Sequence, residues 1–507
     1  MLINPHVSRR AKSFIARLVS KSNRQVLVSP LLISALLISG CTVDTSDSAG
    51  SQEESAVDKV FPQIGNAIID VEHYAIDLEY NPSDATIDST VTIDAQSLDE
   101  SLESFSLDFE GFAVNKVAVN GKTAQYSRTE DGSQLSHKLV IYPDEPVSGE
   151  FTAEIQYHGS PQTHEGAGGA EEGWISTPDG GITLNQPVGA MTVIPLNNTP
   201  QDKATFDVTL RLPEELGGGP SAGVSNGILL GEATDDKGIS VWKWQQPRPM
   251  APHLLLIGVG RYDQITSTVE LSDGRKLESH SFIDPTIGQE AVEQVEESLA
   301  LMPEYLAALE NQFGSYPGAS LGFVVESTGV GYALETQDRP VFDGSLDPST
   351  MLHELIHQWF GNALTQGDWS DLWLSEAPAV FYTDIDAMEV REVEREIVDL
   401  FYQEWEETEA DLPTWTTPMA GFDEPAKLFG DQVYRRGAMT LGFLLDEIGA
   451  ESFSKVMREW ARKGLDDPLA TVTTGDFLAV IEEETGYDTT VLRDEWIYAT
   501  SKPSWKR

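Results

Sequence analysis

Two patterns of apolar and polar positions divide the chain into an N-terminal and a C-terminal part. In the first part, short stretches such as HYAIDLEY (73–80) and ATFDVTLRLP (204–213) alternate apolar with polar residues, and Gly, Pro, Asn or Asp residues separate them. A period of two is typical of strands that bury one face. The pattern predicts an antiparallel β domain over residues 61–263.

The spacing of apolar residues changes after this domain. The segment GQEAVEQVEESLALMPEYLAALENQFG (288–314) has apolar residues three and four positions apart, and most later segments share this helical spacing. We therefore predict a second, mainly α domain over residues 264–507. Within it, LGFVVES (321–327) and GYALETQ (331–337) are predicted strands, and a helix is expected at about residues 349–362.

One glycine-rich segment, THEGAGGAEEGW (163–174), interrupts the β domain. A phosphate-binding loop would need a strand before it and a helix after it, and neither pattern is present here. We predict a flexible loop without chemistry.

The first 40 residues form a leader. They carry six basic residues and no acidic one, and they end in the apolar run VLVSPLLISALLISG (26–40). This is typical of a signal peptide, and ISGC resembles the lipobox of bacterial lipoproteins. We expect lipidation of Cys41, a disordered, Ser- and acid-rich tether over residues 41–60, and an exported protein anchored to the membrane of a bacterial cell envelope, facing outside the cytoplasm. The alternative is a signal anchor with an incidental cysteine, although the run is shorter than the roughly 20 residues of a membrane span.

Composition and charge limit the classes of partner. Cys41 is the one cysteine among 507 residues, which excludes a disulfide within the chain. The formal net charge is -49, because the sequence has 82 acidic and 33 basic residues. Such an excess of negative charge raises solubility and repels polyanions, so no nucleic-acid partner is expected.

The motif HELIHQW (353–359) and the later Glu376 predict a metal centre. On a helix, His353 and His357 lie about one turn apart, so both imidazoles leave the same face and can bind one ion. Eighteen residues separate His357 from Glu376, which is enough to bring a carboxylate back from a second helix. Two histidines and one glutamate are typical of catalytic zinc, where water takes the fourth position.

The remaining acidic residue of the motif predicts the reaction. Glu354 lies beside the two histidines, where its carboxylate can take a proton from the zinc-bound water and pass it to a leaving amine. This arrangement suits amide hydrolysis. One zinc ion is the predicted cofactor, since imidazole and carboxylate ligands in this number favour it.

The sequence around these residues resembles the aminopeptidase N family of gluzincin metallopeptidases, which includes leukotriene hydrolase. The resemblance runs from about Phe61 to Trp505. It rests on GNAIIDVEHYAIDLEY (65–80), PQDKATFDVTLRLP (200–213), VSNGILL (224–230), PMAPHLLLIGVGRYD (249–263) and HELIHQWFGNALTQGDWSDLWLSEAPA (353–379). It implies a multidomain fold in which the N-terminal antiparallel β domain precedes a thermolysin-like, mainly α catalytic domain.

The resemblance also implies a catalytic tyrosine. The family has a Tyr-x-Lys-Gly-Ala motif, and VYRRGA (433–438) places Tyr434 at its tyrosine, with Arg436 replacing the lysine. A phenol at this position donates a hydrogen bond to the developing oxyanion.

Recognition of the substrate's free amine is implied by two further segments. In the family, the glutamate of a Gly-x-Met-Glu-Asn strand holds this amine, and YALET (332–336) makes Glu335 its counterpart, with Tyr332 and Thr336 departing from the Gly and Asn. A second contact corresponds to Gln186, although Asn185 is adjacent and a turn amide is the ordinary alternative.

Three functions remain open at this point. The first is a zinc aminopeptidase that removes N-terminal residues from peptides at a membrane surface. The second is a zinc endopeptidase or another hydrolase, because the amine-binding segment departs from the family and the family's C-terminal helical domain has no counterpart in this sequence, which predicts an open cleft. The third is a lipoprotein that binds without catalysis.

Overall fold

The computed structural model describes part of the chain, namely residues 57–130, 137–166, 169–385 and 394–507. The predicted signal peptide, Cys41 and residues 41–56 of the predicted tether lie outside these ranges. Within them, no helix is both long enough and apolar enough to cross a membrane.

The last residues of the predicted tether are packed against the protein. Asp58 accepts a hydrogen bond from the Trp369 backbone N–H at 2.7 Å, and the Lys59 N–H donates to Asp368 at 3.1 Å. Val60 is buried. The expectation of disorder up to residue 60 is therefore wrong for residues 57–60, because these contacts offset the entropy of ordering the chain.

The N-terminal part consists of strands. They are β1 (Ile69–Asn81), β2 (Thr86–Leu102), β3 (Phe105–Asp108), β4 (Ala113–Val119), β5 (Lys122–Thr123), β6 (Gln125–Glu130), β7 (His137–Tyr142), β8 (Val147–Gly159), β9 (Thr163–Glu165), β10 (Glu171–Ser176), β11 (Gly181–Leu184), β12 (Ala204–Pro213), β13 (Glu215–Leu216), β14 (Gly219–Ser225), β15 (Ile228–Thr234), β16 (Ile239–Met250) and β17 (Ile257–Arg261). Among the described residues they form sheets in the orders β15-β16-β12-β1-β2-β8-β4-β5, β13-β14-β17-β11-β10-β9 and β3-β7-β6.

The alternating pattern of the sequence matches the faces of these sheets. In β1, Tyr74, Ile76 and Leu78 are buried, and the residues between them are partly exposed. The predicted β domain is confirmed, with one exception to the antiparallel pairing: β1 and β12 run parallel, with His73 opposite Thr205. Many residues separate these two strands in the chain, so a parallel crossover is possible.

The prediction of a loop at 163–174 is wrong. Strands β9 and β10 pair there, with His164 opposite Glu172. Gly173 has a φ of 91°, and a Cβ on it would lie 2.3 Å from Thr192 Oγ1. A glycine is therefore needed for close packing of β10, and it does not indicate flexibility.

This hairpin contains a buried charge cluster. His164 Nδ1 lies 2.8 Å from Glu110 Oε2, and His164 Nε2 lies 2.7 Å from Glu172 Oε1. Burial opposes the charge of His164, but the hydrogen bonds to the two carboxylates outweigh it and raise the pKa of the imidazole to about 9. The imidazolium form therefore links β9 to β10.

The C-terminal part begins with a four-stranded sheet of β18 (Asp263–Glu270), β19 (Lys276–Ile283), β20 (Val324–Glu326) and β21 (Val341–Asp343). Its helices are α1 (Gln289–Phe313), α2 (Pro348–His357), α3 (Trp373–Asp384), α4 (Glu394–Glu407), α5 (Pro413–Thr416), α6 (Arg435–Asp466) and α7 (Thr474–Thr485), and the short strands β22 (Thr365–Gln366) and β23 (Thr471–Val472) pair in parallel. The mainly α second part is confirmed, whereas the boundary at 263/264 stays a prediction.

Only one of the two strands expected before α2 has formed. β20 lies within the predicted segment 321–327. The segment 331–337 makes a single antiparallel bridge, between Leu334 and Val341, and the next strand of the sheet is β21. The alternation of apolar and polar residues in 331–337 therefore predicted a strand wrongly, because β20 forms its hydrogen bonds with the later segment β21.

We expect the His164 cluster to make stability depend on pH. The pKa of His164 is higher in the folded chain, about 9, than the ordinary value of 6.5, so its stabilisation is complete below pH 6.5 and is lost as the pH rises through 9. Urea denaturation measures the free energy of unfolding of the wild type and of His164→Gln. The difference between the two proteins should decrease by up to about 3 kcal/mol as the pH rises across this window.

The matched control is His158→Gln in β8, where 45% of the histidine side chain is exposed. It should retain the pH dependence of the wild type. Parallel curves for wild type and His164→Gln would contradict the assignment of an imidazolium to His164.

Candidate active site

The ends of α2 bring the two histidines of the motif into position. At the N-terminus, the Asp347 side chain accepts hydrogen bonds from the Ser349 and Thr350 N–H groups at 3.0 and 3.1 Å, and Pro348 occupies the first turn. The helix ends at His357, so the predicted end at 362 is wrong. Beyond it, the backbone turns at Gly361, whose φ is 113°.

The structure brings His353, His357 and Glu376 together. The two Nε2 atoms are 3.1 Å apart, and Glu376 Oε2 lies 3.7 Å from His353 Nε2 and 3.5 Å from His357 Nε2. Glu376 is in the first turn of α3 and is buried with His357, while His353 is partly exposed. The three donors therefore form a triangle with one open side.

A second layer of contacts orients His357. Its Nδ1 lies 3.1 Å from the Phe360 carbonyl oxygen and 3.1 Å from Ser375 Oγ. A Cβ on Gly361 would lie 2.2 Å from Ser375 Oγ, so only glycine allows this approach. With Nδ1–H donating to the carbonyl, the lone pair of Nε2 is directed at the triangle.

The carboxyl group of Glu376 is ionised. Burial alone would raise its pKa, but the two imidazoles outweigh this effect and lower the pKa to about 2. An ionised carboxylate is the form that binds a metal ion.

Glu354 lies next to this triangle and has unused hydrogen-bonding capacity. It is buried, and among the described residues its Oε2 has no hydrogen-bond partner. Burial raises the pKa of this carboxyl well above its ordinary value, and the charges of Glu335 and Glu376 raise it further. A buried carboxylate with a high proton affinity is suited to accept a proton.

Tyr434 directly precedes α6 and reaches the same site, where its phenol lies near the carboxylate of Glu376. Burial and then the charges of Glu376 and Glu335 raise the pKa of the phenol well above its ordinary value. Tyr434 therefore keeps its proton and remains a hydrogen-bond donor.

Arg436, which replaces the family's lysine, fixes the backbone after Tyr434. Its guanidinium donates to the carbonyl oxygens of Trp496 at 2.7 Å, Ala499 at 2.8 Å and Thr417 at 2.9 Å. These contacts tie the start of α6 to the C-terminal segment.

The candidate amine-binding pair is also assembled. Gln186 Nε2 donates to Glu335 Oε1 at 2.6 Å, whereas the neighbouring Asn185 donates to the Leu255 carbonyl oxygen at 2.6 Å and is fully buried. An oxygen of Glu335, an oxygen of Glu354 and a ring nitrogen of His357 lie within 4.8 Å of one another. Glu335 and Gln186 are therefore part of the same site as the histidines.

Two residues that the sequence did not indicate support Glu335. Asn362 Nδ2 donates to the Glu335 carbonyl oxygen at 2.8 Å. Buried Lys203 donates to the carbonyl oxygens of Ala363 at 3.0 Å and Ala470 at 2.9 Å, and so fixes the turn that carries Asn362. No local pattern distinguishes these two residues from other polar residues, because their partners are distant in sequence.

Two protein-family profiles match the N-terminal and the C-terminal part of the chain separately. The Peptidase M1 N-terminal domain profile matches residues 70–254, and the Peptidase family M1 domain profile matches residues 344–496. Together the two profiles cover more than half of the sequence. The chain belongs to peptidase family M1. The resemblance stated from the motifs is confirmed.

Curated relatives of this M1 family protein match only part of their own length. It is 24% identical over 466 residues to a leucyl aminopeptidase of Saccharolobus solfataricus, covering 86% of this chain and 54% of that protein. It is 25% identical over 346 residues to aminopeptidase M1-A of Oryza sativa subsp. japonica, covering 62% of this chain and 36% of that protein. The chain thus spans about a third to about half of these relatives.

Solved structures show the same fold. An M1 zinc metallopeptidase from Deinococcus radiodurans superimposes with a TM-score of 0.77 at 22% identity, covering 89% of this chain and 98% of that chain. Yeast LTA4 hydrolase gives a TM-score of 0.70 at 19% identity, covering 91% and 71%. The β domain followed by a helical domain is therefore the M1 fold.

The site of this M1 family protein fits the family's single zinc ion. The donor separations of 3.1, 3.5 and 3.7 Å bracket the roughly 3.3 Å expected between ligands about 2.0–2.1 Å from a tetrahedral ion. Two imidazoles and an ionised carboxylate are also the donor set of a catalytic zinc site. His353, His357 and Glu376 would hold the ion.

Among the residues that the structure describes, two groups of side chains could hold a metal ion, namely His353, His357 and Glu376 or Glu335, Glu354 and His357. We expect the zinc content of two variants to show which group binds the ion. Glu376→Gln should reduce bound zinc by at least about tenfold, because it removes the anionic ligand, whereas Glu335→Gln should bind about one ion per chain like the wild type. Elemental analysis of the dialysed proteins measures this. The opposite result, loss with Glu335→Gln and retention with Glu376→Gln, would place the ion among Glu335, Glu354 and His357.

Proposed function

We propose that this M1 family protein is a zinc-dependent aminopeptidase that removes N-terminal residues from peptides. The observation that carries the proposal is the hydrogen-bonded pair of buried Glu335 and half-buried Gln186 beside the metal centre. In an N-terminal residue, the α-amine is separated from the scissile carbonyl by one carbon atom. An amine anchor next to the zinc ligands therefore selects the first peptide bond.

Each part of the reaction has a candidate group in the site. A bound zinc ion would polarise the scissile carbonyl and lower the pKa of water to about 7. Glu354 takes the proton of the attacking water and delivers it to the leaving amine. Tyr434 donates a hydrogen bond to the oxygen of the scissile carbonyl as negative charge develops on it.

The amine is held by complementary charge. Glu335 supplies a carboxylate for the substrate's ammonium group, and a charge-assisted hydrogen bond of this kind is stronger than a neutral one. Because Gln186 uses its Nε2 to donate to Glu335, its carbonyl oxygen is left to accept from the ammonium group. The two side chains thus offer acceptors to the substrate.

An endopeptidase remains the second candidate, because the amine-binding segment departs from the family. Thr336, in place of the family's asparagine, is fully buried and donates to the Arg339 carbonyl oxygen at 2.6 Å. It therefore offers the substrate no hydroxyl. Because Thr336 does not contribute, the preference for peptides with a free N-terminus depends on Glu335 and Gln186.

We further propose that Cys41 is lipidated and holds the enzyme at the outer side of a bacterial membrane, on the basis of the leader and of ISGC before Cys41. Full-length protein should be recovered with the membranes, and Cys41→Ser should release it into the soluble fraction. Equal recovery of both with the membranes would support a signal anchor in its place.

The proposed function is tested with one peptide in free and N-acetylated forms. The wild type should cleave only the free form, a chelator should abolish cleavage, and Glu335→Ala should raise KM because it removes the anchor of the amine. Glu354→Gln should lower kcat by about 10²- to 10⁴-fold while retaining zinc. Equal cleavage of the free and acetylated peptides would show an endopeptidase.

A further inference from the structure

Strand β10 contacts both halves of the amine-binding pair through adjacent residues. The Tyr332 hydroxyl donates to the Glu171 carbonyl oxygen at 2.7 Å, and Glu172 Oε2 accepts from the Val188 N–H at 3.1 Å. Tyr332 precedes Glu335 by three residues, and Val188 follows Gln186 by two. One strand therefore holds both segments that supply the anchors.

The contact on the Gln186 side is rigid. Glu172 is almost fully buried, and its other carboxylate oxygen is bound to His164. Directly beyond Val188, a Cβ on Gly189 would lie 2.4 Å from the Gly173 backbone nitrogen. The backbones of β10 and of the segment after Gln186 therefore touch, and they can move only together.

The contact on the Glu335 side closes a short loop. Asp343 accepts from the Gly329 and Gly331 N–H groups, each at 2.8 Å, which fixes the start of the loop. The loop returns to the sheet at Leu334, which bridges to Val341. Between these two points, Tyr332 supplies a side-chain link to β10 that the glycine expected at this position in the family lacks.

We propose that Glu171 and Glu172 of β10 set the distance between Glu335 and Gln186, and that Tyr332 is a positioning residue for recognition of the substrate's amine. The inference rests on the proposed function, since it assumes that Glu335 and Gln186 bind this amine. Tyr332 acts through the backbone of the Glu335 segment and does not touch the reacting atoms. Loss of its hydroxyl changes how well the two acceptors converge on the ammonium group.

The test uses two zinc-binding inhibitors that differ only in the amine, L-leucine hydroxamate and its deamino counterpart, with the zinc-loaded enzyme. Tyr332→Phe should raise the Ki of L-leucine hydroxamate by about threefold to tenfold, the range that corresponds to one hydrogen bond. It should leave the Ki of the deamino compound unchanged, because that compound makes no contact with Glu335 through an amine.

The matched control is Tyr126→Phe. The Tyr126 hydroxyl also donates to a backbone carbonyl oxygen, that of Val114, at 2.8 Å, but it lies exposed on β6. This variant should leave both Ki values unchanged. Glu172→Gln, which weakens the link on the Gln186 side, should act like Tyr332→Phe, and thermal unfolding of each variant shows whether it is folded.

The outcomes separate this inference from the proposed function. If the wild type binds both inhibitors equally, there is no amine site, and both proposals fail. If the wild type prefers L-leucine hydroxamate but folded Tyr332→Phe keeps the full preference, the aminopeptidase proposal stands and the role of Tyr332 is overturned. Equal weakening of both inhibitors by Tyr332→Phe would show a merely structural role and would also overturn it.

Discussion

Three buried carboxyl groups share one small site with two imidazoles, and the rest of the catalytic part is arranged around this concentration of charge. Glu335, Glu354 and Glu376 each expose less than a twentieth of their surface. Burial of a carboxylate is costly unless a hydrogen bond, an opposite charge or a metal ion compensates for it. For Glu376 and Glu335 the site meets this constraint with different partners, and each partner suits a different task. Glu376 is ionised between imidazoles and Glu335 is bound by an amide, whereas one oxygen of Glu354 has no partner in the part of the chain that the structure describes.

Distant segments hold these groups in place. The β domain supplies Gln186 and, through Lys203, supports the turn that carries Asn362 and hence Glu335. The C-terminal segment binds Arg436 and so fixes the start of the helix behind Tyr434. The residues that would hold the metal ion come from two short helices, but the groups that would select the substrate come from both parts of the chain. With Glu335 and Gln186 as the proposed amine anchor, substrate recognition would depend on packing between the sheets and the helices.

The sequence predicted best what is close together along the chain. Helical spacing was enough to predict that His353 and His357 lie side by side, and adding Glu376 completed the predicted set of three donors, which the structure brings together. Glu335, Gln186 and Tyr434 could be proposed only from the family resemblance, because no periodicity marks them. The β9–β10 hairpin was missed since its glycines look like those of a loop, whereas Gly173 is needed for contact with Thr192. Likewise, helical spacing continues past His357, but the chain turns at Gly361, where only glycine leaves room for Ser375 from another helix.

The central claim is that Glu335 and Gln186 bind the substrate's free amine and so restrict cleavage to the first peptide bond. It is tested most directly by mass spectrometry of a time course on a long peptide in which every truncation has a unique mass. The account predicts products that shorten one residue at a time from the N-terminus, with intermediates appearing in order. Internal fragments that retain the original N-terminus at the earliest times would contradict it.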